Sequence, residues 1–172
     1  MNFKERYKQI DKLNTGKFHK VLKVLDEKDG KYYVLKFIPK EPNENINNLI
    51  NNCLEEINIM KKIKSEYVVK LIENFYDKSN QGYCIVMELC DSDLRKLLNE
   101  YKPKGLPLEL IKKIFQQLND VLKAMLKLDC IHRDLKPENI LIKYTDNNKE
   151  KFDIKLTDFD LSTRDIKSSI KI

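Results

Sequence analysis

Eight consecutive residues, His132-Arg133-Asp134-Leu135-Lys136-Pro137-Glu138-Asn139, bring a carboxylate, an amine and an amide into one short segment. A second carboxylate arrives 19 positions after Asn139, in Asp158-Phe159-Asp160. Two carboxylates and an amide oxygen are hard ligands of the kind Mg²⁺ takes, and Mg²⁺ draws few of its ligands from protein. A lysine beside them suits a phosphoryl group in transfer, whose charge it neutralises.

Such residues need elements to hold them. Val21, Leu22, Val24 and Leu25 form an apolar run, Asp29-Gly30 is a hairpin turn signal, and Tyr32, Tyr33, Val34, Leu35, Phe37 and Ile38 make the return. Pro39 and Pro42 close this segment, so residues 7–38 read as strands. Ile46, Leu49, Ile50, Cys53, Leu54, Ile57 and Met60 recur at three- and four-residue steps, which predicts a helix. Val68 to Tyr76 and Tyr83 to Leu89 read as two more strands, joined by a polar loop containing Gly82. Beyond a break at Pro103, Gly105 and Pro107, a second helix is expected over 108–128. Its apolar face holds Leu110, Ile111, Ile114, Phe115, Leu118, Val121, Leu122, Met125 and Leu126. The loop at 129–139 follows, then Ile140-Leu141-Ile142, a polar insertion at 144–151 and a short strand at 152–157. The order is α+β. It predicts two lobes, residues 1–88 and 89–172, with a hinge near 88–93.

Composition narrows the classes further. At 172 residues and 41% hydrophobic content the chain can bury a core and is not a disordered segment. The net charge of +6 suits an anionic ligand such as a nucleotide. The lysines are spread along the chain rather than massed, which argues against a nucleic-acid partner. Cys53, Cys84, Cys90 and Cys130 show no C-x-x-C spacing, so they read as small buried hydrophobes in a reducing compartment rather than as a zinc or redox site. The charged start of the chain and the lack of a long apolar run predict neither a signal peptide nor a membrane partner. A cytoplasmic or nuclear location is expected.

The run 132–139 matches the complete catalytic-loop signature of the eukaryotic protein kinases, and the chain resembles that family's Ser/Thr branch through its Leu-Lys-Pro-Glu-Asn setting. The resemblance implies a five-stranded N-terminal lobe with one helix, complete in this chain, and a mostly helical C-terminal lobe, partial here. It implies ATP and Mg²⁺ as cofactors and a protein Ser/Thr hydroxyl as acceptor. Asp134 would then orient the hydroxyl and accept its proton, Lys136 would contact the γ-phosphate, and Asn139 and Asp158 would hold metal. Arg133 would pair with a phosphorylated residue, and His132 would be a packed structural residue. Val34-Leu35-Lys36 stands where the family has Ala-x-Lys, so Lys36 would hold the α- and β-phosphates and Glu56 would pair with it. Glu55 points about 100° away on a helix and is the lesser candidate. Met87 would be the gatekeeper of a hinge whose Glu88 carbonyl and Cys90 amide meet the adenine edge. Asp93 would reach the ribose, while Val21, Val34 and Leu141 would sandwich the ring. For these apolar residues core packing is an equal explanation.

Three departures stand against the pattern. The phosphate-covering loop, Asn14-Thr15-Gly16-Lys17-Phe18-His19-Lys20-Val21, keeps only Gly16 of three family glycines, with Asn14 and His19 at the other positions. Asp160 replaces the glycine of Asp-Phe-Gly. The sequence ends at Ile172, before any Ala-Pro-Glu element, which implies a fragment, a truncated product, or a chain completed by a partner or a missing C-terminal segment. The helix at 108–128 should then expose apolar surface, and poor solubility is expected. The leading expectation is a protein kinase. The alternatives are a non-catalytic nucleotide-binding pseudokinase or scaffold and, more weakly, a purely structural interaction domain.

Overall fold

Apolar and β-branched runs build a five-stranded antiparallel sheet from Tyr7–Thr15 (β1), Lys20–Asp26 (β2), Lys31–Pro39 (β3), Leu71–Asp77 (β4) and Gly82–Glu88 (β5). The strands lie in the order β1-β2-β3-β5-β4. The structure, a computed structural model, describes residues 2–15, 19–160 and 162. The chain divides into two units. One holds residues up to Ile57 together with Lys70–Leu89, and the other holds Asn58–Val69 and the residues from Cys90 onward.

In the first unit, Gly30 closes the β2–β3 hairpin at φ 70°, where a glycine carries no Cβ penalty, and its N–H donates to the Asp26 carbonyl at 2.8 Å. One face of the sheet is the core: Leu22, Val24, Leu35, Phe37, Cys84 and Val86 pack with Phe3 and Tyr7. Gly82 is the first residue of β5 rather than a loop residue, and a Cβ there would sit 2.4 Å from the Phe37 ring. The two edge strands are joined by side chains. The Arg6 guanidinium, at the head of β1, pairs with Asp26 at 2.6 Å and with Glu73 of β4 at 2.9 Å. The Tyr7 hydroxyl donates to the same Glu73, and its ring stacks on Phe75 at 6.5 Å. Arg6 holds the buried Asp26 carboxyl below its usual range. The helix read from residues 46–60 is Ile46–Lys62 (α1).

The strand read from Val68 begins later than the pattern suggested. β4 starts at Leu71, and Val68 and Val69 belong to the second unit. Val68 forms a parallel bridge with Leu156, and Val69 N–H donates to the Leu156 carbonyl at 2.9 Å. Two branched apolar residues are buried equally well by either arrangement, so alternation alone does not choose the partner.

In the second unit, Ser92–Asp93 (β6), Ile140–Tyr144 (β7) and Phe152–Leu156 (β8) form a small antiparallel sheet in that order. The short helix Leu94–Glu100 (α2) was not foreseen. Its signal is Asp93, whose carboxylate caps the helix by accepting from Lys96 N–H at 2.9 Å. The long helix is Leu108–Leu126 (α3). Its buried stripe is Ile114, Gln117, Val121 and Met125, which includes one amide. Leu108, Phe115 and Leu126 are 63, 66 and 60% exposed, in keeping with the expected apolar surface on this helix. Cys53, Cys84 and Cys130 are buried and Cys90 half-buried, and burial pushes the Cys84 thiol up. Among the described residues no helix is long and apolar enough to cross a membrane.

Candidate active site

Antiparallel pairing decides which side chains share a face. Asn14 lies opposite Val21, Val21 opposite Lys36, and Lys36 opposite Ile85, so these residues form one row across four strands. Val34, two residues before Lys36, looks the same way and is paired with Met87. Asn14, Val21, Val34, Lys36 and Met87, each read from the sequence as a nucleotide contact, therefore stand on the face of the sheet opposite the Leu22–Leu35–Val86 core. Gly16 lies outside the described residues.

Lys36 is only 3% exposed, yet it carries a charge. Burial on that scale requires a partner. The partner is Glu56 on α1, whose Oε1 and Oε2 lie 3.1 and 3.2 Å from Nζ. Glu56 is 7% exposed whereas Glu55 is exposed, so the helix phase selects the residue expected from the resemblance. Glu88, at the end of β5, accepts Lys70 N–H on its carboxylate at 2.8 Å and donates its own N–H to the Lys70 carbonyl at 2.9 Å. Those bonds tie its backbone to the start of β4.

In the second unit the loop 132–139 is held by its own polar groups. Asp134 Oδ2 accepts from Lys136 Nζ at 2.6 Å and from Asn139 Nδ2 at 2.9 Å, and the Asp134 carbonyl takes the same amide at 2.9 Å. With its amide nitrogen committed to Asp134, the buried Asn139 presents Oδ1 as its ligand atom. The hydrogen bond from Lys136, with help from Asn139, holds the Asp134 carboxyl below its ordinary range, and Asp134 raises the Lys136 amine. Asp134 is therefore a carboxylate at neutral pH.

His132 opens the loop. Its Nε2 is 2.9 Å from the Thr157 carbonyl, and its Nδ1 accepts Asp134 N–H at 3.3 Å. A carbonyl can only accept and an amide N–H can only donate, so the proton sits on Nε2. Burial lowers the imidazole pKa, which keeps the ring neutral. The ring lies 4.9 Å from the buried Phe159 ring, as suits a packed structural residue. Thr157 N–H donates to the Asn139 carbonyl at 3.1 Å. The backbone of the loop and that of the strand leading to Asp158 are thus bonded directly to each other. Asp158 itself takes φ 68°, a left-handed conformation that few residues adopt without local support. Its carboxylate comes within 4.8 Å of that of Asp160.

The remaining predicted contacts lie on the small sheet. Leu141 of β7 is half-buried and is paired with Asp93 of β6. The Asp93 carboxylate serves the α2 cap and also pairs with Lys96 at 3.2 Å. Cys90 opens the second unit, one residue after the Leu89 boundary. Sequence reasoning passed over Arg95 of α2, whose Nε donates to Glu138 within the loop at 2.8 Å.

The donor set of the second unit suits a divalent cation and a phosphate: the Asp158 carboxylate and the Asn139 amide oxygen for the one, the Lys136 amine for the other. The five-stranded sheet with helix α1 is that of the N-terminal lobe of the protein kinases. Residues 7–171 match the protein kinase domain family, and the chain belongs to it. It is 37% identical over 158 residues to Cyclin-dependent kinase-like 1 of Caenorhabditis elegans, covering 90% of this chain and 41% of that protein. Cyclin-dependent kinase 4 of Xenopus laevis is 33% identical over 166 residues, covering 92% of this chain and 49% of that protein. The DYRK-family kinase pom1 of Schizosaccharomyces pombe is 34% identical over 143 residues, 80% of this chain and 12% of its own length. The chain spans less than half the length of these curated relatives.

Proposed function

We propose that this chain forms the ATP-binding and catalytic-loop part of a Ser/Thr protein kinase that transfers the terminal phosphoryl group of Mg²⁺-ATP to a protein hydroxyl. The observation that carries this reading is the hydrogen-bonded set Asp134–Lys136–Asn139, with the strand end at Asp158 bonded to the same loop through Thr157. Asn139 Oδ1 and the Asp158 carboxylate would hold Mg²⁺, which supplies charge neutralisation for the phosphates. Asp134 orients the acceptor hydroxyl and takes its proton. Lys136 sits 2.6 Å from Asp134 and balances negative charge arriving beside it. Lys36, braced by Glu56, contacts the inner phosphates, and the sheet face of Val21, Val34 and Met87 receives the adenine. Catalysis in this scheme is chiefly positioning and charge stabilisation.

A phosphotransfer assay on a generic Ser/Thr substrate tests the reading. Transfer that Asp134→Asn abolishes supports it. Transfer that survives the substitution points to a contaminating kinase, and the absence of transfer by pure protein sinks the reading.

A second reading, a nucleotide-binding module without transfer, is favoured by Asp160, whose carboxylate lies within 4.8 Å of Asp158 in place of a glycine. Mg²⁺-ATP binding without transfer, converted to transfer by Asp160→Gly, would establish it.

A further inference from the structure

We infer that Gln117 is a positioning residue for Asp158, setting the placement of the strand that ends in that carboxylate. The inference rests on the reading above that Asp158 holds a cation. Gln117 stands in the buried stripe of α3 between Ile114 and Val121, and it is 6% exposed. A leucine or methionine would satisfy that stripe, whereas a buried amide is costly unless both of its ends are bonded.

Both ends are bonded, and both to β8. Gln117 Oε1 accepts Ile154 N–H at 2.9 Å, and Nε2 donates to Asp153 Oδ1 at 2.6 Å. One side chain therefore grips two consecutive residues, one through its backbone and one through its carboxylate. β8 is the last strand of its sheet, bonded to β7 on one side. On the other side Leu156 N–H reaches the Tyr67 carbonyl at 2.8 Å, and the Leu156 carbonyl receives Val69 N–H at 2.9 Å. Gln117 extends that outer fastening by two residues, back to Ile154. An edge strand held on one side only is free to shift along its neighbour, and a one-residue shift turns every side chain to the other face. Asp158 lies four positions beyond Ile154. The apolar periodicity of α3 explains its packing, while the amide at 117 is explained by the register of β8.

The test uses Mg²⁺ and ATP with the whole chain, measuring ATP affinity with Mg²⁺ and with EDTA, and amide exchange at Ile154. Gln117→Met keeps the volume and removes both bonds. The expected result is about a tenfold loss of the Mg²⁺-dependent gain in ATP affinity, the scale on which residues behind metal ligands act. Affinity in EDTA should be unchanged, and Ile154 exchange faster. The double variant Gln117→Glu/Asp153→Asn reverses donor and acceptor across the pair, and should restore both readouts to within about twofold of wild type. Should Gln117→Met not fold, Asp153→Ala removes half of the grip and should give a smaller loss in the same direction. A wild type with no Mg²⁺-dependent gain overturns the reading of Asp158 and this inference with it. A wild type that shows the gain, with a Gln117→Met (or, if that variant is unfolded, an Asp153→Ala) that keeps it whole, overturns this inference alone.

Discussion

Two lysine–carboxylate pairs carry the proposed chemistry, and they live in opposite surroundings. Lys36 and Glu56 have side chains 4 and 7% exposed, while Lys136 and Asp134 are 46 and 30% exposed. Once water is removed, each member of the first pair depends on the other, because a lone buried ion costs far more than the pair gains. The first pair is a buried brace. Water competes with the second pair and can replace either partner at small cost. That makes it suited to exchange: a phosphate can draw Lys136 away and a hydroxyl can meet Asp134 without leaving a charge stranded in an apolar place. Burial, rather than distance, separates the roles, since the shorter contact (2.6 against 3.1 Å) is the more exposed one.

The contrast is open to experiment. The largest effect is expected from Lys36→Met, which takes from the buried Glu56 the amine bonded to both of its oxygens and should lower stability by about 3–5 kcal/mol in denaturant titration. Lys36→Met/Glu56→Leu should recover most of that loss, and a double variant no better than the single would mean that Lys36 matters for something other than pairing. Asp134→Asn should erase phosphotransfer while leaving the melting temperature close to that of wild type. A melting drop as deep as that of Lys36→Met would mean that the exposed pair braces the fold as the buried one does. A smaller effect concerns pH. His132 is held neutral by burial, its folded pKa lying below the ordinary value of about 6.5. The unfolded chain then binds the extra proton first, so stability should fall as pH drops below that value and recover as pH rises through it. His132→Gln should flatten this dependence in melting curves taken from about pH 5 to 8. The smallest effect is that of salt. Raising NaCl from about 0.1 to 1 M should leave the gap between wild type and Lys36→Met unchanged, because buried pairs are screened little. A gap that closes with salt would place Lys36 in water.

Much of this was legible in the residues. Apolar runs bounded by Asp29-Gly30 and by prolines gave the strands over 7–38, a further apolar run gave β5, and the three- and four-residue spacing gave α1, because each pattern records what must meet the core. The loop at 132–139 was legible because so many polar types at fixed spacing leave little room for coincidence. What periodicity does not record is the partner. Val68 and Val69 read as the start of a strand in the large sheet, but Val68 faces Leu156 of the small one in a parallel bridge, and Val69 N–H donates to the Leu156 carbonyl. Gln117 was passed over because it sits in an apolar stripe, although a polar residue there is itself a signal that something must be bonded. Gly82 reads as a loop marker, and only the approach of Phe37 shows that it is needed for room. Phe115 and Leu126 fit the apolar phase of α3 yet point to solvent.

The grip of Arg6 and Tyr7 on Glu73 turns an open five-stranded layer into something closer to a hoop. Four of its joints are backbone ladders, and the fifth is a clasp of side chains. A hoop does not fray from a flank. Loosening the first strand loads the fourth, so this layer should come apart in one step rather than by peeling. At the clasp both flanks already have a neighbour, which makes that end a poor template for a stray strand from another molecule.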